Sequence, residues 1–443
     1  MTSTAFFTDR YELTMLEAAL RSGRAGCPAT FEVFTRRLPE RRPWGVFAGL
    51  GRFLEALESF CFGPEELTWL EANHVVGPAT LDFLAGYHFS GNIDAYREGE
   101  LYAAGSPVLT VEAPFGEGLL LETLALSIFN FDSAVAGAAS MITAAAAERP
   151  VIEMGSRRVD PSAAVAAARA AYIGGFASTS NLQAGRRYGI PTAGTAAHAF
   201  VLAYPGEKEA FAAQVASFGP ATTLLVDTYD TMQGVRNAVE VCGPHLGAVR
   251  IDSGDLGREA LRVRKLLDDL GATGTKLVVT GDLDARTIAA LGAAPVDSYG
   301  VGTSVVTGMG APSAGFVYKL VAVGEPGDGP AAPQRPVAKR SAGKATVGGR
   351  KWAWRAQLDE RPGHSSGEAV LEATTAGTDL PVWVDVVSTS PRCPHPGGEP
   401  LQVRVVEDGK VVHRPALGDI RAYHLAARDR TGLSSPLLLD RHP

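Results

Sequence analysis

Polar residues follow several short apolar runs in the middle of this 443-residue chain. In RIDSGDL (250–256), Arg250 and Asp252 stand two residues apart, so they would face the same side of a β-strand. A guanidinium beside a carboxylate suits an anionic substrate that also carries hydroxyl groups, although a pair standing alone would be better explained as an internal ion pair. Three further apolar runs end in polar residues: VDTYD (226–230), TGDLD (280–284) and GVGTS (300–304). Four such endings in succession favour a binding site.

Two other segments could serve a phosphorylated ligand. GVGTSVVTGMGAPSAG (300–315) is rich in glycine, and glycines let backbone N–H groups approach a phosphate closely. It is not a P-loop, because the GxxxxGK[ST] pattern is absent. His198 lies in AGTAAHAFV, where alanines leave space beside the ring. The residues alone leave two interpretations of His198 open, a functional group or a hydrogen-bonded core histidine.

Tyr11 lies in FFTDRYELTM near the N-terminus. The amphipathic pattern around it favours a core aromatic, while an exposed ring could instead stack on a planar heterocycle. Asp230 and Asp284 precede helical patterns, so we expect them to cap helices rather than to act in catalysis.

The elements that must position these residues alternate between short apolar runs and helical stretches. The predicted strands are VIEMG (151–155), IPTAG (190–194), TTLLVD (222–227), GAVRID (247–252), KLVVTG (276–281) and DSYGVGT (297–303). The first helix between them has Asp160 as its N-cap and Pro161 as its first residue. Such alternation requires parallel strands joined by helical crossovers, and it is compatible with a complete or incomplete (β/α) barrel.

The flanking parts of the chain have a different pattern. Residues 1–130 mix helices and strands, and the tail contains several short β-like runs after a Gly/Pro-rich segment (324–336). We therefore predict an α/β fold with two domains. An α/β barrel domain of residues 131–344 carries most of the active site, and an α+β domain combines residues 1–130 with 345–443.

Composition excludes several classes of function. A formal net charge of −7 argues against a general binder of nucleic acid or of acidic membranes, since both need a positive field. The four cysteines form no CxxC pair, so we expect buried thiols of a reduced compartment rather than disulfides or structural zinc. No signal peptide pattern or apolar run of about 20 residues is evident, so a cytoplasmic protein outside the membrane is expected.

Taken together, these strings resemble the nicotinate phosphoribosyltransferase family. The likeness covers most of the chain, through TDRYELTM, ATFEVFTRRLP, EMGSRR, GGFASTSNLQAGRRYGIPTAGTAAHAF, VDTYDT, RIDSGDL, VGTSVVTGMGAPSAGFVYKL and GRKWAWR. The resemblance implies a type II phosphoribosyltransferase fold, an irregular α/β barrel plus an α+β domain built from both chain ends. It also implies a head-to-tail homodimer whose sites take residues from both chains.

The reaction implied by the resemblance joins nicotinate and phosphoribosyl pyrophosphate into nicotinate mononucleotide and pyrophosphate. ATP hydrolysis would be coupled to it through a phosphohistidine, with Mg²⁺ as the cofactor. A phosphorylated histidine near the pyrophosphate site could tighten substrate binding. No nucleic acid or membrane partner is implied.

The resemblance also assigns roles to individual residues. His198 matches the phosphohistidine, Asp252 matches the carboxylate that binds the ribose hydroxyls, and Tyr11 matches an aromatic supplied by the neighbouring subunit. Arg157 and Arg250 match arginines that hold the phosphates and the ring of the substrates. The remaining substrate-binding residues are Asn181, Thr195, Gly254, Gly281, Asp282, Gly300, Gly302 and Thr303.

Two departures from the family pattern concern efficiency more than identity. Ala199 follows His198 where the family often has serine, so a supporting hydroxyl is missing. TGDLD stands at 280–284 where SGDLD or SNDLD is more usual.

Three alternatives remain. A nicotinamide phosphoribosyltransferase would carry a carboxylate where Asn181 stands, because an aspartate accepts from an amide but repels the carboxylate of nicotinate. A Schiff-base lyase needs an activated lysine at the end of a barrel strand, and Lys319 is the only candidate, since Lys276 opens its strand. A non-catalytic scaffold has no need for His198, Arg250 and Asp252 together.

Overall fold

The computed structural model describes residues 3–40, 42–341, 346–358, 369–372, 382–393 and 397–433. The chain divides into two units, Met1–Gly137 with Ser313–Thr431, and Ala138–Pro312 with the end of the chain from Gly432. Residues 313–344, which the sequence analysis assigned to the barrel, are grouped with the first unit. The reason is that the strand Phe316–Val323 pairs with Pro28–Thr35 near the N-terminus.

The described helices are α1 (Arg10–Arg21), α2 (Leu50–Glu58), α3 (Pro64–Ala72), α4 (Pro78–Ala85), α5 (Phe115–Leu119), α6 (Glu122–Ala146), α7 (Pro161–Ile173), α8 (Leu182–Tyr188), α9 (His198–Leu202), α10 (Glu207–Phe218), α11 (Thr231–Cys242), α12 (Leu256–Asp269), α13 (Ala285–Ala290), α14 (Thr303–Val306) and α15 (Leu417–Arg430). The described strands are β1 (Pro28–Thr35), β2 (Gly45–Val46), β3 (Asn92–Tyr96), β4 (Leu101–Tyr102), β5 (Leu109–Pro114), β6 (Val151–Glu153), β7 (Ser178–Thr179), β8 (Thr223–Leu225), β9 (Ala248–Ile251), β10 (Lys276–Val279), β11 (Ser298–Val301), β12 (Phe316–Val323), β13 (Arg335–Pro336), β14 (Trp352–Leu358), β15 (Ala369–Glu372), β16 (Val382–Ser388), β17 (Glu399–Pro400), β18 (Gln402–Glu407) and β19 (Lys410–Val411).

The first unit is built on a sheet with the strand order β13-β12-β1-β5-β3-β18-β19. β1 pairs antiparallel with both β12 and β5, so its side chains are buried on both faces. Phe31 of β1 stacks on Tyr318 of β12 with ring centroids 5.0 Å apart, which fixes the late strand against the early one. The tail was predicted to be β-rich, and α15 in it was missed.

The second unit contains a six-stranded sheet in the order β7-β6-β11-β10-β9-β8, and every neighbouring pair runs parallel. Five of the six predicted strands are confirmed. The prediction for 190–194 is wrong, because this segment makes only an isolated bridge between Thr192 and Thr179. Pro191 has no N–H to donate to a ladder, and the short β7 takes the predicted strand's place in the sheet.

The predicted helix caps are confirmed. Asp160 accepts hydrogen bonds from the N–H groups of Ser162 and Ala163, Asp230 from Gln233, and Asp284 from Thr287. Caps of this kind satisfy the free N–H groups at helix starts, so they fix where the crossover helices begin.

One helical stretch among the described residues, Phe115–Ala146, has the length and mean hydropathy (1.4) of a bilayer-crossing helix. The sequence analysis found no such run because Glu122 and Asp132 interrupt it. Of its apolar window, 67% is buried inside the protein, as in the core helix of a globular domain. All four cysteines are free, but only Cys27 is buried, which corrects the expectation that all four are.

Candidate active site

The carboxyl ends of the parallel strands carry most of the predicted site. Polar loops follow each strand of this sheet, and because the strands are parallel these loops lie at one edge. The predicted site residues of the second unit are Arg157 after β6, Asn181 after β7, Arg250, Asp252 and Gly254 at or just after the end of β9, Gly281 and Asp282 after β10, Gly300 and Gly302 at the end of β11, Thr303 as the first residue of α14, Thr195 between α8 and α9, and His198 as the first residue of α9.

The guanidinium of Arg250 joins three of these loops. Its Nε donates to Thr280 Oγ1 (2.9 Å), its Nη2 to Asp252 Oδ1 (3.0 Å), and its Nη1 to Thr195 Oγ1 (3.0 Å) and the Ala196 carbonyl oxygen (3.2 Å). Four of its five N–H groups are therefore engaged within the protein. The side chain is 13% exposed, so the cation is held in a fixed orientation at the edge of the sheet.

Asp252 is the carboxylate partner of Arg250. Burial alone would raise its pKa, but hydrogen bonds from Thr280 and Arg250, with the charge of Arg250, outweigh burial and lower the pKa. The carboxylate thus stays ionised well into the acidic range. Its Oδ2 lies 3.9 Å from His198 Nε2, so three residues predicted to act together are brought together.

His198 is the first residue of α9, and its side chain is 40% exposed. Nδ1 is 3.2 Å from Thr228 Oγ1, which fixes the ring from the β8 loop. Thr228 thus places a hydroxyl beside the ring, although Ala199 has none. The ring is neither buried nor embedded in a core, so the interpretation as a core histidine is wrong.

Asp227 belongs to the site but was not singled out from the sequence. It is 9% exposed, and its Oδ2 accepts from the N–H of Asp252 and from Ser253 Oγ, both at 2.8 Å. Its Oδ1 is buried and accepts no hydrogen bond from the described residues. The available signal was its place directly after a confirmed strand, in a run already noted as polar.

The backbone after β10 adopts conformations that side chains disfavour. Gly281 has φ +104°, and a Cβ there would overlap the carbonyl oxygen of Asp252. Asp282 follows with φ +40°, which is uncommon for a residue other than glycine. Such strain is concentrated at functional sites, where surrounding contacts maintain it.

Asn181 and Arg157 occupy neighbouring loops. Asn181 Oδ1 accepts from the N–H of Ala184 (2.9 Å), and its Nδ2 donates to Ser156 Oγ (3.0 Å), which leaves one amide hydrogen available. Arg157 is exposed and makes no hydrogen bond or ion pair with the described residues. Both groups can therefore donate to an anionic ligand.

Buried Glu153 connects two of these segments through its carboxylate. Its carboxylate accepts from the N–H of Gly155 and from Thr179 Oγ1. Burial raises its pKa. This carboxyl group therefore ties the loop after β6 to β7.

Two candidates lie in the first unit. Tyr11, on α1, is 44% exposed, and burial of its hydroxyl end together with nearby Glu122 and Glu12 raises its pKa to about 12. Lys319 lies on β12, in an antiparallel sheet, and its Nζ is 3.4 Å from Glu122 Oε1. That position and ion pair contradict the Schiff-base alternative, which requires an uncharged lysine at the end of a barrel strand.

No group of three or more His, Cys, Asp or Glu side chains among the described residues is arranged to hold a metal ion. A resident metal bound by protein alone is therefore not supported by this part of the chain.

Comparisons with known proteins identify similar chains. Residues 6–130 match the model of the nicotinate phosphoribosyltransferase N-terminal domain. The chain is 58% identical to a nicotinate phosphoribosyltransferase of Mycobacterium tuberculosis, over 79% of this chain and 77% of the relative. It is 38% identical to the nicotinate phosphoribosyltransferase of Bacillus subtilis, over 83% and 76%. The crystal structure of human nicotinic acid phosphoribosyltransferase superposes with a TM-score of 0.74 at 26% identity, covering 96% of this chain and 94% of that one.

Proposed function

This chain belongs to the nicotinate phosphoribosyltransferase family, and from that premise we propose how its site works. The residues around Arg250 join nicotinate to phosphoribosyl pyrophosphate and couple that reaction to ATP hydrolysis at His198. The observation that carries the proposal is the hydrogen bonding of Arg250 to Asp252 on one side and to Thr195 and Ala196, which precede His198, on the other.

In this reaction the pyridine nitrogen bonds to C1 of the ribose while the bond from C1 to the pyrophosphate oxygen breaks. Positive charge develops on the sugar and negative charge on the leaving group. The ionised Asp252 accepts from the ribose hydroxyls, and the fixed cation of Arg250 lies beside it. Arg157 has no partner among the described residues and can bind a phosphate. Preorganised charges of this kind stabilise a transition state without reorganisation.

His198 would accept the γ-phosphoryl group of ATP on a ring nitrogen, releasing ADP, and water would later hydrolyse the phosphohistidine. The 40% exposed ring permits the transfer. The added phosphate would carry about −1.5 to −2 charge near the segment that holds Arg250. Such a charge would draw the guanidinium and alter the donor site, which couples the two reactions.

Mg²⁺ fits this site when substrate phosphates complete its ligands. Mg²⁺ usually binds one or two carboxylates plus phosphate oxygens. The Oδ1 of Asp227, which has no hydrogen-bond partner among the described residues, and the carboxylate of Asp252 are the groups that would hold it. When bound, Mg²⁺ neutralises charge on the departing pyrophosphate.

Nicotinate is favoured over nicotinamide by Asn181. Its oxygen already accepts from Ala184, and its second amide hydrogen bonds to none of the described residues, so this N–H can donate to a ligand. An N–H donor suits a carboxylate and cannot accept from an amide.

The proposal also includes a barrel fold and a homodimer. The parallel sheet would close into an irregular barrel, extended beyond β7 by the bridge at Thr192. Homodimers in the cytoplasm would form the active species, with the exposed ring of Tyr11 completing the site of the neighbouring subunit.

One assay tests the function: formation of mononucleotide from labelled nicotinate or nicotinamide, with and without ATP. We expect nicotinate to react and ATP to stimulate. γ-Labelled ATP should leave an acid-labile label that His198→Ala loses, whereas His245→Ala, at an exposed histidine of the same unit, should keep it. Undiminished labelling of His198→Ala would overturn the phosphohistidine, and a reaction with nicotinamide alone would overturn the substrate.

A further inference from the structure

A cavity of about 520 Å³ lies in the second unit between α9, α10 and the segment Gly194–Ala197. Its volume is in the range of small-molecule sites, about 300–1,000 Å³. None of the described side chains that line it carries a charge. Burying an ionised group without a counter-charge is costly, so the cavity disfavours both nicotinate and the phosphorylated donor.

Aromatic rings form part of the wall. Phe200 and Tyr204 pack edge to face with ring centroids 5.1 Å apart. Phe218 lines the same cavity and is 75% exposed, so much of its ring is in contact with water. A planar ring bound here would cover apolar surface and stack on aromatic faces.

The polar groups that line the cavity have fixed roles as hydrogen-bond donors or acceptors. Gln214 Nε2 donates to Thr222 Oγ1 (3.0 Å) and to the Thr223 carbonyl oxygen (2.9 Å), so both of its amide hydrogens are engaged. No described residue donates to its Oε1, which is therefore a fixed acceptor. The Tyr204 hydroxyl makes no hydrogen bond with the described residues and can donate. A ligand that fits has an amine N–H and an acceptor ring nitrogen, and aminopurines have both.

Two residues in the wall of the cavity also accept hydrogen bonds from Arg250. Thr195 and Ala196 line the cavity and accept from Arg250 Nη1 at 3.0 and 3.2 Å. A ligand that fixes or displaces this segment changes the position of the guanidinium. Because coupling between two sites is reciprocal, binding in the cavity and binding of the donor must affect each other equally.

We propose that this cavity is a second ligand site, which binds a neutral purine nucleoside and controls the donor site through Thr195, Ala196 and Arg250. The control of the donor site rests on the proposed function, whereas the binding of adenosine in the cavity does not, so adenosine binding can fail while the proposed function stands.

Adenosine is the probe, and calorimetry on the full-length protein measures its dissociation constant. Ser217 lines the cavity, and among the described residues its hydroxyl donates only to the Ala213 carbonyl oxygen of its own helix, so Ser217→Trp fills the space at little cost. Ala216→Trp is the matched control, since Ala216 is exposed on the same helix and does not line the cavity. Ser217→Trp should weaken adenosine binding at least tenfold, and Ala216→Trp should leave it unchanged. If Ser217→Trp fails to fold, Phe218→Ser replaces it with the same expected direction.

The coupling is measured by titrating phosphoribosyl pyrophosphate with and without saturating adenosine. Its dissociation constant should change about fivefold or more, and Thr195→Val should reduce that change while adenosine still binds. The proposal is overturned if adenosine does not bind at millimolar concentration or binds Ser217→Trp as tightly as the wild type. Simple competition between adenosine and the donor for one site would overturn it equally.

Discussion

Replacement of Arg250 by alanine separates a binding role from a structural one. The change removes four hydrogen bonds. Thr195 is exposed and the Asp252 side chain is 30% exposed, so water can reach these abandoned partners. We therefore expect a modest loss of stability, about 2–3 kcal/mol, since hydrogen bonds at accessible positions contribute little each. The variant should remain folded.

The loss of affinity for the donor should be similar in free energy to the loss of stability. Losing one charge-assisted contact costs about 1.5–3 kcal/mol, which is roughly ten- to a hundredfold in affinity. Calorimetric titration with phosphoribosyl pyrophosphate measures the affinity, and urea unfolding measures the stability of the same preparation.

Arg264→Ala is the matched control. Arg264 lies on α12 of the same unit and also makes four hydrogen bonds, two to Asp268 and two to the carbonyl oxygens of Ala272 and Thr275. It should lose similar stability and keep its donor affinity. If Arg250→Ala bound the donor like the wild type, or failed to fold while Arg264→Ala folded, Arg250 would be part of a structural ion pair and the reasoning would be refuted.

Three further predictions concern other parts of the chain. Tyr11→Ala should weaken nicotinate binding by about 0.5–1.5 kcal/mol and spare the donor, and an unchanged affinity for nicotinate in a calorimetric titration would contradict this. Burial raises the pKa of Glu12 from 4.5 to about 7, so the stability that its protonated form contributes is complete below pH 4.5 and is lost as the pH rises through 7. In Glu12→Gln, the free energy of unfolding measured in urea should therefore change less with pH over that range. The same pH dependence in the variant and the wild type would contradict this. Gly281→Ala should lower donor affinity more than tenfold. Gly271 also has a positive φ but open space around it, so Gly271→Ala should only lose about 1 kcal/mol of stability. Equal donor binding in both variants would show that the overlap at Gly281 is tolerated.

The chemistry-bearing strand ends could be predicted because their signals are local. An apolar run followed by polar residues marks where a parallel strand leaves the sheet, and all four runs with such endings correspond to strands of the parallel sheet. Arg250 and Asp252 are two residues apart, so strand geometry alone puts them on one side. Asp230 and Asp284 were identifiable as caps, since a cap contacts N–H groups only two or three residues away.

Contacts between distant segments could not be predicted in the same way. Thr280 bonds to both Arg250 and Asp252 from about 30 residues away, and Thr228 contacts His198 over the same separation. Periodicity shows which face a residue occupies, but it does not show what lies opposite. The prediction of a strand at 190–194 was wrong for another reason. Its apolar character suggested a strand, while Pro191 has no N–H for a continuous ladder of strand hydrogen bonds.

The pairing of β1 with β12 has a consequence for synthesis on the ribosome. β5 ends at residue 114 and β12 ends at residue 323, so about 200 residues must be translated before β1 gains its second neighbour. At roughly 5–20 residues per second, this takes about 10–40 s. Throughout that interval β1 presents an unpaired apolar edge containing Phe31 and Val33, which is the kind of surface that aggregates or recruits chaperones. The segment from 138 to 312 is meanwhile synthesised without interruption, so the parallel sheet of the second unit can form before the sheet of the first unit is complete.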